Sequence, residues 1–573
     1  MEWAALGVVG IITIVAAGVF SKKLGIAAPL LLIIIGFGFS YIPGAPVHVP
    51  HEVILTVLLP PILYAAAITV PVIDFRRNLS SISALSVALV IVSALVTGYV
   101  LFLVFPDLSL PAAIALGAVI SPTDAVAATS LGKRLGLPPR LVSILEGEGL
   151  VNDATALVLL RSAIAATAGA VSIWDIAGDF LFAVTVAIVI GLLIGVVTVF
   201  VRSRLKDAVL DTSISFAVPF LAFLPAQYLG ASGVLAVVAA GLYSGHSSAR
   251  RFSAQARTSE RLNWRSIQFI LENGVFLLMG LELSYVIGTV RKDELSVNQA
   301  LLLGVLMTGI LIVLRFAFVA PLLLVLRGQT RRAERDQNRL GAALTHAEPV
   351  DASGRGTKRV QRARKIFDRR QIDLERMRAE GLGWRGGVVL GWSGMRGVVT
   401  LAAAQSLPLE TPYRSQLVLI AFTVSVVTLL LQGGTLPAVI RWTGIGGTNA
   451  EADHRELRAL LGDLSAAGTA VLENPENEAW GGMDPDPQVI ERVRRDSRLR
   501  LKTTNEAQAQ DVDPAVVTPR QRYRLLRRSV IDAEREALLD ARSEGAYASH
   551  ILAQAQAWLD LEETRLDQMG KAD

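Results

Sequence analysis

The sequence predicts an all-α polytopic membrane protein with about thirteen transmembrane helices, arranged as inverted repeats, and a C-terminal cytoplasmic helical domain. Three observations lead there. Of 573 residues, 52% are hydrophobic and only 18% charged, with a mean hydropathy of +0.48, whereas soluble domains carry about 25% charged residues. Apolar stretches of roughly 20 residues, the length that spans a bilayer, recur through residues 1–326 and return over 386–442. The gaps between these stretches are alternately rich and poor in Lys and Arg.

The apolar segments fall at 4–20, 25–41, 52–71, 83–105, 111–131, 141–160, 175–201, 210–229, 231–245, 267–289, 299–326, 386–407 and 415–441. With the N-terminus outside, the gaps that face the cytoplasm carry Lys22 and Lys23, Arg76 and Arg77, Lys133, Arg134 and Arg140, then Arg202, Arg204 and Lys206, then Arg250, Arg251, Arg257, Arg261 and Arg265. The outer gaps hold little beyond Arg161, Arg291, Lys292 and Arg414. This alternation follows the positive-inside rule, and it places the C-terminus in the cytoplasm. Six spans, a connector and six more is the arithmetic of an inverted repeat. The expected membrane is the cell (inner) membrane, and no cleaved signal peptide is expected, because no basic stretch precedes the first apolar run.

The domain division expected is a membrane domain over 1–442, interrupted by a charged cytoplasmic insertion at 327–385 that is partly helical around 359–380, and a cytoplasmic tail over 443–573. In the tail, Glu451–Leu472 has amphipathic spacing, 474–515 reads as a linker, and 518–570 carries two helical patterns. The tail suits helical packing, dimer contacts or binding of a regulator, and holds no catalytic constellation. The net charge of +5 sits beside apolar spans, where lipid headgroups and orientation account for it, so nucleic acid is not an expected partner. With no cysteine in the chain, disulfides, thiolate metal sites and cysteine nucleophiles are excluded. No enzyme activity and no cofactor are expected.

A charge at mid-membrane costs about 2.5–3.5 kcal/mol even on the lenient insertion scale, so ionisable residues inside the spans are the functional candidates. In Ser121-Pro122-Thr123-Asp124, Pro122 breaks the helix and leaves Thr123 or Asp124 at the start of a second half-helix, where a carboxylate meets the positive dipole end. In Glu146-Gly147-Glu148-Gly149-Leu150-Val151-Asn152-Asp153, three acids lie in one short stretch beside an apolar run. In Gly391-Trp392-Ser393-Gly394-Met395-Arg396-Gly397, glycines weaken the helix and Arg396 supplies a cation, so an acid of segment six paired with Arg396 is expected. Glu272 and Arg315 are supporting candidates. A buried carboxylate that binds either a proton or a small hard cation exchanges one for the other when the site opens to alternate sides, and oxygen ligands suit Na⁺ or K⁺.

Together Pro122-Thr123-Asp124, Glu148 with Asn152-Asp153, Glu272-x-x-x-Phe276-x-x-x-Gly280 and Gly394-Met395-Arg396-Gly397 resemble the monovalent cation:proton antiporter family, in its NhaP-type Na⁺/H⁺ branch. The resemblance covers roughly 1–442. It implies a homodimer of thirteen-helix protomers in which two broken helices cross. It also implies that Asp153 is the ion- and proton-binding carboxylate with Asn152 beside it, that Thr123 and Asp124 contribute to the cation site, and that Glu148 and Arg396 form an internal ion pair. Asn152, where electrogenic relatives have a second Asp, implies electroneutral one-for-one exchange.

Two positions depart from the family pattern: Ala65 replaces a usual acid, and Gly149 a usual serine. With two oxygen ligands missing, K⁺ or a loosely selective site joins Na⁺ and Li⁺ as expected cargo. Two other readings fit the same residues. A proton-coupled carrier of an organic or anionic substrate would leave Arg396 unpaired in a roomier cavity. A membrane sensor with the tail as output would carry no flux.

Overall fold

The computed structural model describes residues 2–24, 28–41, 50–167, 169, 173–205, 207–290, 296–345, 382–397, 399–445, 450–473, 490–491, 493, 517–545 and 547–571. Every regular element among them is helical. The chain divides into two compact units. The first takes residues 1–248, 259–328 and 382–447; the second takes 249–258, 329–381 and 448–573.

In the first unit the helices are α1 (Glu2–Leu24), α2 (Ala28–Phe39), α3 (Ile54–Thr69), α4 (Leu79–Val104), α5 (Leu110–Ile120), α6 (Ala125–Arg134), α7 (Pro139–Thr167), α8 (Ile173–Arg202), α9 (Ala208–Tyr228) and α10 (Gly233–Arg251). They continue with α11 (Ala254–Val290), α12 (Val297–Thr345), α13 (Trp384–Trp392), α14 (Val399–Gln405) and α15 (Arg414–Thr443), the parts of α10, α11 and α12 at 249–251, 254–258 and 329–345 being assigned to the second unit. Seven of the described helices are long and apolar enough to cross a membrane by length and composition, and shorter apolar helices lie at Gly7–Ser21, Ala28–Phe39, Ile54–Thr69 and Leu110–Ile120. Only 22% of the most apolar stretch of α8 is buried in the protein, against 72% for α15. An apolar helix with so much open surface needs a non-aqueous surrounding, and Leu181, Val189 and Leu193 lie on that surface.

Two apolar cores support the unit. One joins α4, α5 and α7 to α12–α15 through residues such as Leu116, Ile144, Leu311, Leu390 and Leu419. The other joins α3 to α8, α9 and α10 through Leu63, Tyr64, Ala187, Val218 and Val237. Helix α11 is fixed to α2 by a backbone contact: a Cβ on Gly280 would collide with the Ile33 carbonyl, and one on Gly36 with that of Leu277. Glycine is required at both positions.

The helix expected to end at residue 326 runs unbroken to Thr345. Its extension, Arg331-Arg332-Ala333-Glu334-Arg335 and onward, is made of strong helix formers that need no apolar surrounding. The helix expected around 359–380 lies outside the described residues, as does the linker expected at 474–515 apart from residues 490, 491 and 493; these are helical, and Ile490 and Val493 pack with Leu472, Leu526 and Val530 instead of lying free as a linker would.

The second unit contains α16 (Ala450–Glu473), α17 (Val517–Glu544) and α18 (Ser549–Lys571). Leu457, Leu460, Leu464, Leu538, Ile551, Leu552, Ala555 and Leu559 form its core. Within the same unit, the Arg257 side chain, 4% exposed, pairs with Asp560 on α18, and Arg527 lies 3.6 Å from Glu562.

Candidate functional site

The site is built where two helices stop short. Helix α5 ends at Ile120, Pro122 prevents its continuation, and α6 begins only at Ala125. Helix α13 ends at Trp392, and α14 begins at Val399. Interrupted helices leave backbone groups without helical partners, and here the two interruptions satisfy one another. Asp124 N–H donates to the Met395 carbonyl at 2.6 Å. Arg396 Nε donates to the Ile120 carbonyl at 3.2 Å, its guanidinium also reaches the Gly394 carbonyl, and its N–H donates to Thr428 Oγ1 at 3.0 Å. Ser425 Oγ donates to the Gly397 carbonyl at 2.9 Å. Asp124 thus stands at the positive end of α6 and Arg396 at the negative end of α5, as the helix dipoles favour.

Gly397 has a steric reason to be glycine. A Cβ there would lie 2.7 Å from Asp124 Oδ2 and 2.9 Å from its Cβ, so any other residue would push the two breaks apart.

Beside the crossing lies a buried polar network. Arg315 Nη1 and Nη2 donate to the two oxygens of Glu148 at 2.5 and 2.9 Å, and Arg315 Nε donates to the Leu390 carbonyl at 3.0 Å. Thr123 Oγ1 donates to Glu148 Oε1 at 2.7 Å. Asn152 Nδ2 donates to the Thr123 carbonyl at 2.7 Å and to its hydroxyl at 3.0 Å. Glu148 and Asn152, four residues apart on α7, therefore point the same way and hold the unwound chain at Thr123.

The expected pairing of Glu148 with Arg396 is corrected by these contacts. The partner of Glu148 is Arg315, and Arg396 caps the end of α5 instead. Both arginines are almost wholly buried, so burial and sequence distance do not distinguish them; the rotation of α12 toward α7 does. The sequence marks Arg315 as a charge inside a span, but nothing in its neighbourhood marks it as the partner.

Asp153, one residue beyond Asn152, turns to a different wall of α7. It lines a cavity of about 460 Å³ together with Thr123, Asp124, Gly149, Glu272 and Gly397. Its lining also includes Lys133, Glu146 and Arg265; Lys133 and Arg265 are exposed, and Lys133 Nζ lies 2.6 Å from Glu146. Gln268 Nε2 holds one oxygen of Glu272 at 2.6 Å. Ala65 is buried in the second core, and the cavity wall beside it is formed by Leu63 and Ala66. The fold thus brings Thr123, Asp124, Asp153 and Glu272 to one cavity, Glu148 and Arg315 to the network behind it, and Arg396 to the crossing.

Acidic side chains facing a cavity beside two crossed, interrupted apolar helices define the class of secondary transporters, in which non-helical backbone at membrane depth is tolerated where it lines a wet cavity. The chain belongs to the sodium/hydrogen exchanger transmembrane family, which matches residues 9–442, and is a multi-pass membrane protein. A Na(+)/H(+) exchanger of Mycobacterium tuberculosis is 29% identical over 579 residues, covering 98% of this chain and 96% of the relative. A sodium, potassium, lithium and rubidium/H(+) antiporter of Bacillus pumilus is 28% identical over 450 residues, covering 75% of this chain and 60% of the relative. Among solved structures, the sodium proton antiporter MjNhaP1 of Methanocaldococcus jannaschii superposes with a TM-score of 0.54 at 16% identity, over 78% of this chain and all of that one. That likeness carries the fold. The family is one of transporters, not of enzymes.

Proposed function

We propose that this protein exchanges a monovalent cation for a proton at Asp153, one for one, by alternating access. The observation that carries the reading is the Asp153 carboxylate in a cavity shared with Asp124, Thr123 and Glu272. Oxygen donors of this kind bind H⁺ or a hard cation, and a single carboxylate takes up one only by releasing the other. Exchange at such a site moves no net charge, and Asn152, being neutral, adds no second titrating group. Asn152 serves by holding Thr123, and Glu148 with Arg315 keeps the crossing rigid.

Gly149 on the cavity wall and Ala65 behind it offer no side-chain oxygen. A site with fewer fixed ligands discriminates less by size, so Na⁺, K⁺ and Li⁺ are all proposed as cargo. The named activity of the Bacillus pumilus relative, which spans four alkali cations, supports that breadth. The competing reading, carriage of an organic or anionic substrate held by Arg396, is disfavoured because Arg396 is spent on the carbonyls of Ile120 and Gly394.

The proposal includes thirteen spans with the N-terminus outside and the tail in the cytoplasm, a homodimer in the inner membrane, and a part in pH homeostasis. It also gives the tail a regulator or the second protomer as partner. On this orientation the exposed Lys133 and Arg265 of the cavity lining lie on the cytoplasmic side. Purified protein in proteoliposomes with an imposed pH gradient tests the exchange: addition of Na⁺, K⁺ or Li⁺ should collapse the gradient. A gradient that survives all three cations would refute it.

A further inference from the structure

We infer that Glu282 and Gln405 form the outer latch of the transport path, a hydrogen bond that closes the site to the outside while the cavity stands open to the cytoplasm. The inference rests on the alternating-access reading above and adds residues to it.

Helix α11 carries two carboxylates within its apolar part. Glu272 lines the cavity. Glu282, 1% exposed, lies ten residues further along the same helix, about 15 Å at 1.5 Å per residue, and has no place on the cavity wall. A carboxylate so deep in an apolar helix is retained only with partners. One of them is the Gln405 side chain, whose Nε2 donates to Glu282 Oε2 at 2.8 Å. Gln405 is itself 6% exposed and is the last residue of α14, the half-helix that starts just beyond Gly397 at the crossing. Arg414, at the start of α15, donates to the carbonyls of Gln405 at 2.6 Å and Leu407 at 2.9 Å, which fixes the turn that presents Gln405.

This bond crosses a particular seam. On one side stands α11, fixed to α2 by the Gly36–Gly280 contact. On the other stand the broken helices and α7. The cavity occupies that seam: Gln268, Glu272, Val275 and Phe276 of α11 face Thr123, Asp124, Asp153, Gly397 and Thr400. Met279 of α11 and Leu401, Ala402 and Ala404 of α14 are buried in one apolar core, and the Glu282–Gln405 bond joins the same two helices beyond them. Lys133 and Arg265 line the same cavity and are exposed, and Arg265 lies on the other side of Glu272 from Glu282 along α11. If the two bodies rock to expose Asp153 outward, the packing beyond Phe276 parts and the Glu282–Gln405 bond breaks. The bond therefore stabilises the inward-open state and is absent from the outward-open one, and only such a differential contact shifts the balance between two states.

The test is side-specific kinetics in oriented membrane vesicles, right-side-out and inside-out, for Gln405→Ala and for Gln405→Leu, both of which remove the donor. The second keeps the side-chain bulk and serves where the first fails to reach the membrane. Removing the latch should populate the outward-open state, lowering the apparent KM for the cation on the outer face by about fivefold or more and raising it on the cytoplasmic face, since apparent affinity scales with the fraction of protein in the competent state. A merely structural role would move both faces the same way. KM values that move together, or that stay at wild-type levels in both variants, would overturn the latch. Absence of flux from the wild type, or flux retained by Asp153→Asn in the same vesicles, would instead overturn the exchange reading on which it rests.

Discussion

Glu148 and Arg315 meet through two parallel hydrogen bonds of 2.5 and 2.9 Å, with side chains 3% and 1% exposed. The pair ties α7 to α12, and the third nitrogen of the same guanidinium closes the end of α13 at the Leu390 carbonyl. One arginine thereby joins the acid behind the cavity to the second broken helix.

Removing one member of this pair strands the other in an apolar interior, at a cost of about 3–5 kcal/mol. Arg315→Ala should therefore lower folded yield and thermal stability sharply, and Glu148→Gln combined with Arg315→Gln should recover part of the loss. Thermal unfolding of the purified variants reads this directly. Penalties that simply add would mean that the two side chains do not act as a unit.

Arg396 should behave differently. Arg396→Ala removes charged hydrogen bonds to two carbonyls, each worth about 1.5–3 kcal/mol, and Glu148→Gln should not rescue it. A double-mutant cycle on thermal stability separates the two arginines. Coupling to Glu148 greater for Arg396 than for Arg315 would restore the pairing expected from the sequence.

At the crossing, Gly397→Ala should reduce exchange by tenfold or more, because the new methyl meets the Asp124 carboxylate at 2.7 Å and overpacking of this kind costs about 1–3 kcal/mol. Gly288→Ala, where a Cβ meets nothing within 4 Å, is the control and should retain wild-type flux. Equal activity in both variants would show that the contact between the breaks is dispensable.

Competition between H⁺ and the cation at one carboxylate fixes the sign of the pH dependence. In the acid range, where the site is protonated, the apparent KM for Na⁺ should rise about tenfold for each unit fall in pH, with the maximal rate unchanged. Toward alkaline pH it should level off. Exchange assayed over a grid of pH and cation concentration checks this, and a KM independent of pH throughout would argue for separate proton and cation sites.

Much of the fold is legible in the sequence because lipid imposes a simple code. Long apolar stretches mark helices, Pro122 marks one break, and the glycines from Gly391 to Gly397 mark the other. The candidate cavity residues Thr123, Asp124, Asp153 and Glu272 were visible for the same reason: each is polar where lipid would exclude it. Pairing was not legible. Arg315 lies 167 residues from Glu148, and its selection over Arg396 depends on how α12 is rotated, which hydropathy does not encode. Glu282, inside the span at 267–289, meets the same rule as Glu272, but nothing in Gly280-Leu281-Glu282-Leu283 points to Gln405, an uncharged residue 123 positions away, as one of its partners. The run of α12 to Thr345 was missed because charge ends a membrane span without ending a helix.

The central claim is that the Asp153 carboxylate is occupied by H⁺ and by the cation in turn. Replacing it with the isosteric, non-titrating amide tests this most directly. In proteoliposomes with matched protein content, Asp153→Asn should leave an imposed pH gradient intact on addition of Na⁺, K⁺ or Li⁺, while the wild type dissipates it. Dissipation by Asp153→Asn at the wild-type rate would contradict the account.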